Sequence, residues 1–215
     1  MVSFDIYDTL ITRITYTPQG VFYLIQDMLK KYEYFNVRQE AIGHFALIRI
    51  GAEKRAREIA KDLNKDEVTL KDIYNVLQSM TGFTDERIDF LIKKEIEVEK
   101  KSTIGIKKNI KVLKKYVNCG ERVVLISDMY LDSVVLNKIL TQVDPIFNDI
   151  PIYVSCEYGC TKTTGKLYLN VKENENVKFS EWIHYGDNQF SDECVPQAMG
   201  IRAKNVKTVF IQYDK

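Results

Sequence analysis

The chain lacks, first, an excess of charge. Its 31 Lys and Arg face 30 Asp and Glu, for a net charge of +1. Nucleic acids and anionic membranes select basic surfaces, so nothing in this balance calls for either partner. It also lacks a long apolar run: no stretch approaches the roughly 18 residues of a membrane span, and the N-terminus reads as a strand rather than a secretory signal. Cysteine is sparse and scattered, at Cys119, Cys156, Cys160 and Cys194. Only Cys156 and Cys160 are close, and no histidine follows at zinc-finger spacing, which points to reduced thiols in a cytoplasmic protein. Histidine is scarcer still. His44 falls in a helical stretch and His184 in a strand, and both read as structural.

What is present suffices for a sizeable core. A hydrophobic fraction of 45% over 215 residues fits one domain carrying a substantial insertion better than two equal domains. The opening residues Val2-Ser3-Phe4-Asp5 read as a short strand delivering a carboxylate to a tight loop. In an open α/β sheet such loops collect ligands at the carboxyl ends of the strands. Only four residues precede Asp5, which is compatible with the chain being a domain of a longer protein.

After that strand, Thr17-Pro18 has the form of an N-cap followed by the residue favoured at the first helical position. Val21, Leu24, Ile25, Met28 and Leu29 then recur at three and four, predicting an amphipathic helix in which Tyr16, Phe22 and Tyr23 pack the interior. The stretch from Arg38 to Leu63 interleaves Glu and Arg without strand-like alternation. Thr69 and Asp72 resemble a capping box opening a helix that Gly82 closes, and Thr84 opens another through Ile88, Leu91, Ile92 and Ile96. Residues 16 to 101 thus read as helical throughout: a cap or lid, not a sheet. From 106 to 118 the apolar Ile106, Ile110, Leu113 and Val117 share a face, and the lysines between them are a solvated helix surface.

The pattern then changes. Arg122 to Asp128 is a β-branched run typical of a buried parallel strand, and Asp132 caps a helix through Leu140. Strands follow at 151–155 and 182–185, with a helix near 165–172 between them. A helix near 191–199 follows, then a strand-like stretch from Gly200, with Val209-Phe210-Ile211 as a candidate for a further one. Alternation at this spacing predicts an α/β fold: a Rossmann-like parallel sheet of about five strands with helices on both faces. The core is expected over 1–15 and 103–215, with the helical cap inserted at 16–102.

Four strand ends or their loops then carry polar residues on one sheet edge: Asp5, Ser127, the loop with Lys162 and Lys166, and Asp187. Read singly, Ser127 is a turn hydroxyl, Lys162 a loop lysine and Asp187 a helix cap. Read together, a carboxylate nucleophile, a hydroxyl, a cation and further acids suit phosphoryl transfer with a divalent metal. Gly159 to Gly165-Lys166 is no P-loop, because five residues separate the glycines and Leu167 follows the lysine.

These segments in this order resemble the haloacid dehalogenase superfamily. Asp5-Ile6-Tyr7-Asp8-Thr9-Leu10 is similar to its first motif, Ile126-Ser127-Asp128 to its second and Gly186-Asp187 through Ser191-Asp192 to its acidic fourth. Lys162, six residues before Tyr168, is similar to its third. The resemblance implies a hydrolase with Asp5 as nucleophile attacking phosphorus to form an aspartyl-phosphate. Ser127 and Lys162 would hold the transferring oxygens, with Thr9, Asp128 and, as a rival lysine, Lys166 around the substrate. Mg²⁺ would be held by Asp5, the carbonyl of Tyr7, Asp187 and, directly or through water, Asp192. A small phosphorylated metabolite is the implied substrate; the cap that would select it has no readable spacing, and oligomeric state is not legible.

One position departs from the phosphatases of that superfamily. Where they carry a second Asp, two residues after the nucleophile, this chain has Tyr7. A phenol with a pKa of ~10 can donate a proton but is a poor base at neutral pH, and loss of a general acid–base costs about 10²–10⁴ in rate. Asp8 is adjacent, but neighbours on an extended segment point apart. Tyrosine at this place also resembles the dehalogenases proper, which need no metal, whereas Asp187 with Asp192 resembles the metal-binding version. Slow phosphatase, non-catalytic metal- or phosphate-binding regulatory domain and dehalogenase are the three readings, in that order. Arg13, just past the first loop, is expected in a surface ion pair.

Overall fold

The computed structural model of the chain describes residues 1–15, 17–30 and 43–206. Five strands form one sheet: β1 (Val2–Phe4), β4 (Val123–Ser127), β5 (Ile152–Val154), β6 (Ile183–Gly186) and β7 (Arg202–Asn205). Their order is β5-β4-β1-β6-β7, and every pairing is parallel. The first strand is therefore the central one, with Phe4 level with Leu125 on one side and Tyr185 on the other. That register brings Asp5, Ser127 and Asp187 to one edge.

The sheet is covered on both faces because β4 is apolar from Val123 to Ile126, with side chains alternating between the two. Val123 and Leu125 pack with Ile110, Leu113, Leu136 and Ile139 on one side. Val124 and Ile126 pack with Leu167, Tyr168, Val171 and Trp182 on the other. The helices concerned are α5 (Lys107–Asn118) and α6 (Ser133–Val143) on the first face, and α8 (Lys166–Glu175) on the second. Between α6 and α8 lies the short α7 (Ser155–Tyr158), and α9 (Val195–Ala198) precedes β7. The α/β expectation is met.

Between β1 and β4 the chain carries four further described helices: α1 (Gly20–Leu29), α2 (Phe45–Asp62), α3 (Leu70–Thr81) and α4 (Asp85–Ser102). The capping box at α3 is formed, Thr69 accepting from Asp72 N–H and Asp72 from Thr69 N–H, and Gly82 ends that helix at φ +68°. Among the described residues no helix is long and apolar enough to cross a membrane.

Several local expectations are corrected. Helix α1 begins at Gly20, not at Thr17-Pro18: those residues are spent in a turn closed by Gly20 N–H on the Thr17 carbonyl. Two short strands frame the region read as helical: β2 (Ile11–Arg13) pairs antiparallel with β3 (Thr103–Gly105) where the chain leaves and returns. The helix expected near 191–199 is a π-helical turn over Gln189–Cys194 followed by α9, because the Asn188 side chain takes the N–H groups of Phe190 and Ser191. The cap is thus Asn188, which leaves Asp187 free of that duty. Tyr16, Arg38 to Ile42 and the strand expected at Val209–Ile211 lie outside the described residues.

Candidate active site

Past β1 the chain winds a single tight turn. Leu10 and Ile11 N–H both donate to the Ile6 carbonyl, and Asp8 turns with φ +59°, a conformation that small polar residues tolerate. Asp8 is thus not extended, and its carboxylate accepts the Thr12 hydroxyl at 2.7 Å. Asn109 from α5 donates to the Thr9 carbonyl at 2.7 Å, pinning the loop from below. Asp5 emerges buried at the head of this turn.

Lys162 arrives from the loop between α7 and α8. Its backbone N–H donates to Asp128 Oδ1 at 2.8 Å, and Gly165, at φ +76°, turns the chain back with its missing side chain against Met199. The Lys162 ammonium, itself buried, is 2.6 Å from Asp5 Oδ1 and 2.6 Å from Asp192 Oδ1. Lys166, the rival, pairs with Asp66 at 2.9 Å on the surface and is not brought to this cluster. Ser127 is buried at the end of β4. Thr9 donates to Asp187 Oδ1 at 3.3 Å, so it steadies that carboxylate.

Asp5, Asp187 and Asp192 offer one oxygen each within 4.8 Å of one another. Three carboxylates this close, served by one buried lysine, do not share it equally. Burial pushes Asp5 up to about 7, with Asp192 and Asp187 adding to the push and Lys162 opposing it. Burial, then Asp192, also raises Asp187. Asp192 goes the other way: against the upward push of burial, Lys162 and His184 hold it below the usual carboxylate range. The difference follows from hydrogen bonds, since Asp192 Oδ2 takes Asn188 N–H at 3.1 Å and Oδ1 takes Lys162 and His184. A carboxylate accepting several donors stays ionised, whereas Asp5 with one cation beside other acids does not.

Behind Asp192 runs a chain that the sequence did not reveal. Trp182 Nε1–H donates to Ser3 Oγ at 2.7 Å, which leaves the Ser3 hydrogen for His184 Nδ1, also at 2.7 Å. His184 then carries its proton on Nε2 and donates to Asp192 Oδ1 at 3.1 Å. Burial lowers the imidazole, so this neutral tautomer holds at neutral pH. His184 is buried, and its position behind Asp192 depends on the register of β1 against β6.

Gly186 is the other concealed requirement. Asp192 folds back over it, and a Cβ there would lie 2.4 Å from both Cβ and Cγ of Asp192. Gly186→Ala is therefore expected to push Asp192 off Lys162 and His184. The expected results are a loss of about 1–3 kcal/mol in urea unfolding and, if the protein is catalytic, roughly a hundredfold drop in kcat.

The Tyr7 side chain is engaged by a different pair of residues. Its ring lies under the Arg13 guanidinium at 4.0 Å, and its hydroxyl donates to Glu99 Oε2 at 3.4 Å. Arg13 grips Glu99 through two nitrogens at 2.9–3.1 Å, with Glu99 almost wholly enclosed. The surface ion pair expected of Arg13 is thus a buried one, made possible because β2 and β3 bring the two ends of the insertion together. Burial and then the Glu99 charge push the Tyr7 phenol far up, so it stays protonated. With its proton committed to the Glu99 hydrogen bond and its ionised form disfavoured, it cannot serve as a base near neutrality.

Against known proteins, no family model matches the chain and no curated protein does. Solved structures do. A HAD family enzyme, bt-2542 from Bacteroides thetaiotaomicron, superposes with a TM-score of 0.63 at 14% identity, covering 98% of this chain and 95% of that one. The same enzyme in complex with magnesium and inorganic phosphate gives 0.60 at 15% identity, over 99% and 96%. An L-2-haloacid dehalogenase gives 0.59 at 10%, over 96% and 84%.

Proposed function

From a chain that has the fold of the haloacid dehalogenase-like hydrolases, we propose a Mg²⁺-dependent phosphohydrolase acting on a small phosphorylated metabolite through an aspartyl-phosphate on Asp5. The observation that carries the reading is the trio Asp5, Asp187 and Asp192 gathered around Lys162. All-oxygen, acid-rich donor sets suit Mg²⁺, and Asp5, the Tyr7 carbonyl and Asp187 would hold the ion. With both its oxygens already engaged, Asp192 fits a place behind a water better than one on the metal. When bound, the metal would neutralise phosphate charge and keep Asp5 ionised against the burial that raises it.

In this reading Asp5 attacks phosphorus in line and the leaving oxygen departs opposite. Lys162 and the Ser127 hydroxyl bear on the transferring oxygens, and Asp128 fixes the lysine loop through its bond to the Lys162 N–H. Water then hydrolyses the aspartyl-phosphate without the carboxylate that a second Asp would supply. Tyr7, its proton committed to the Glu99 hydrogen bond and its phenolate disfavoured by burial, neither protonates the leaving group readily nor activates that water. Turnover is therefore slow, by about 10²–10⁴ relative to a site with a carboxylate there.

The same observation about Tyr7 favours a second reading, a regulatory domain that binds metal and phosphate without efficient turnover. A 2-haloacid dehalogenase ranks below both, since it has no use for the acid trio. One experiment separates the three: a panel of phosphorylated metabolites with Mg²⁺, with EDTA and Asp5→Asn as controls, alongside halide release from 2-haloacids. Phosphate release that EDTA and Asp5→Asn both abolish is the expected result. Turnover undiminished in Asp5→Asn would sink the reading. Binding without turnover supports the regulatory domain, and halide release the dehalogenase.

A further inference from the structure

The insertion meets the core at a second place, far from the strands that lead into it. Residues 64–70 join α2 to α3 and lie across two active-site loops. Asp66 N–H donates to the Gly159 carbonyl at 3.3 Å and Leu70 N–H to the Tyr130 carbonyl at 2.9 Å. The Asp66 carboxylate accepts the Thr164 hydroxyl and pairs with Lys166.

Between them Glu67 turns inward and is buried. Its Oε1 is satisfied within the insertion, by Val68 N–H at 2.9 Å and by Arg57. Its Oε2 is committed to the core, accepting the Ser155 hydroxyl at 3.1 Å. Ser155 in turn accepts Met129 N–H at 2.8 Å. Met129 is two residues past Ser127, and the intervening Asp128 holds the Lys162 loop through the Lys162 N–H. One carboxylate from the insertion thus bears on the hydroxyl that anchors the loop after β4, and that loop holds the Lys162 loop through Asp128. Burying a charge here is no aid to docking, since an apolar side chain would seat the loop without the desolvation cost. What a carboxylate supplies and an apolar residue does not is a directed acceptor.

We propose that Glu67 is a positioning residue for the phosphoryl transfer described above. Through Ser155 it fixes the segment carrying Ser127 and Asp128, and through Asp128 the segment carrying Lys162. Docking of the insertion and alignment of the phosphate-holding groups are then one event. This inference rests on the phosphohydrolase reading for its kinetic consequence but not for its structural one.

Two measurements test it on the full chain. Amide hydrogen exchange without substrate is expected to be roughly tenfold faster at 128–130 and 160–164 in Glu67→Ala, with β1 and β4 unchanged. Glu67→Gln has one acceptor oxygen, and serving the Ser155 hydroxyl with it turns the amide NH₂ toward Val68 N–H and Arg57, so its exchange is expected to fall between Glu67→Ala and wild type. With Mg²⁺ and p-nitrophenyl phosphate, Glu67→Ala is expected to lose roughly tenfold or more in kcat while KM moves less than about threefold, and Glu67→Gln to lose less than Glu67→Ala. Should Glu67→Ala not fold, Glu67→Leu, which fills the volume without offering an acceptor and leaves the Ser155–Met129 bond in place, replaces it. Exchange at Met129 equal to wild type in the folded variant overturns the inference. A wild-type protein without turnover overturns the phosphohydrolase reading instead, and the exchange result then decides for or against Glu67 alone.

Discussion

Asp5→Asn is expected to abolish phosphate release and, in the metal-free protein, to raise the stability of the fold at neutral pH. The two effects have one cause. Asp5 is buried beside two further acids, and burial raises it from 3.8 to about 7. An acid raised in the fold is protonated there between about pH 4 and 7 while the unfolded chain is ionised. The native state then binds more protons, so stability falls as pH climbs through that window. Below pH 4 the penalty is absent, and above 7 it is complete, at up to about 4 kcal/mol. Asn, of the same shape and without charge, carries no such penalty, and Lys162 keeps Asp192 as its partner. Urea unfolding in EDTA should therefore show the variant ahead of wild type at pH 7.5 and level with it near pH 4. Mg²⁺ should narrow the gap, because it favours the ionised carboxylate that only wild type has. Equal stabilities at pH 7.5 would mean that Asp5 is not held against its charge.

That cost also explains the company Asp5 keeps. On the proposed reading Asp5 is a nucleophile, which must be charged when it reacts, yet it is buried with like charges. Lys162 and a bound cation would then make the ionised form tenable. His184 and Asn188 give Asp192 its own donors, so the lysine's charge is not wholly drawn off Asp5. The arrangement stores instability at the site and relieves it elsewhere, as active sites commonly do.

Much of the site could be read in the sequence because it is built at strand ends. The run Val123 to Ser127 is β-branched and ends in a hydroxyl, and Ile183 to Gly186 ends in Asp187. A parallel sheet then has little choice about where those residues meet. Lys162 was legible by its distance from Tyr168, whose hydroxyl does donate across to the Ser191 carbonyl of the acidic segment at 2.8 Å. What could not be read depends on register or on tertiary closure. Ser3, Trp182 and His184 converge only because β1 and β6 pair as they do, some 180 residues apart. Arg13 and Glu99 meet only because two three-residue strands close the base of the insertion. Such strands offer no period, and a salt bridge between distant residues offers no spacing.

The insertion's interior supplies the largest expected change in stability. Arg49 on α2 is fully buried, and its guanidinium holds Glu95 on α4 through two bonds of 2.7 and 2.8 Å. A third bond goes to Glu53, and the Tyr74 hydroxyl donates to Glu95 at 2.8 Å. The rings of Phe22, Tyr130 and Tyr74 lie 4.4, 5.0 and 5.6 Å from the guanidinium carbon. Residues from α1, α2, α3, α4 and the loop after β4 thus meet on one cation. Arg49→Met fills most of the volume but leaves Glu95 charged and enclosed, so it is expected to cost about 3–5 kcal/mol in urea unfolding. Removing both charges is the informative comparison. Arg49→Met with Glu95→Leu leaves no orphaned ion, and Tyr74 keeps the Leu91 carbonyl as an acceptor. The double variant is expected to regain most of the loss, with a coupling of several kcal/mol between the two sites. A double variant as unstable as Arg49→Met alone would show that the aromatic contacts, not the charge pair, hold these helices together.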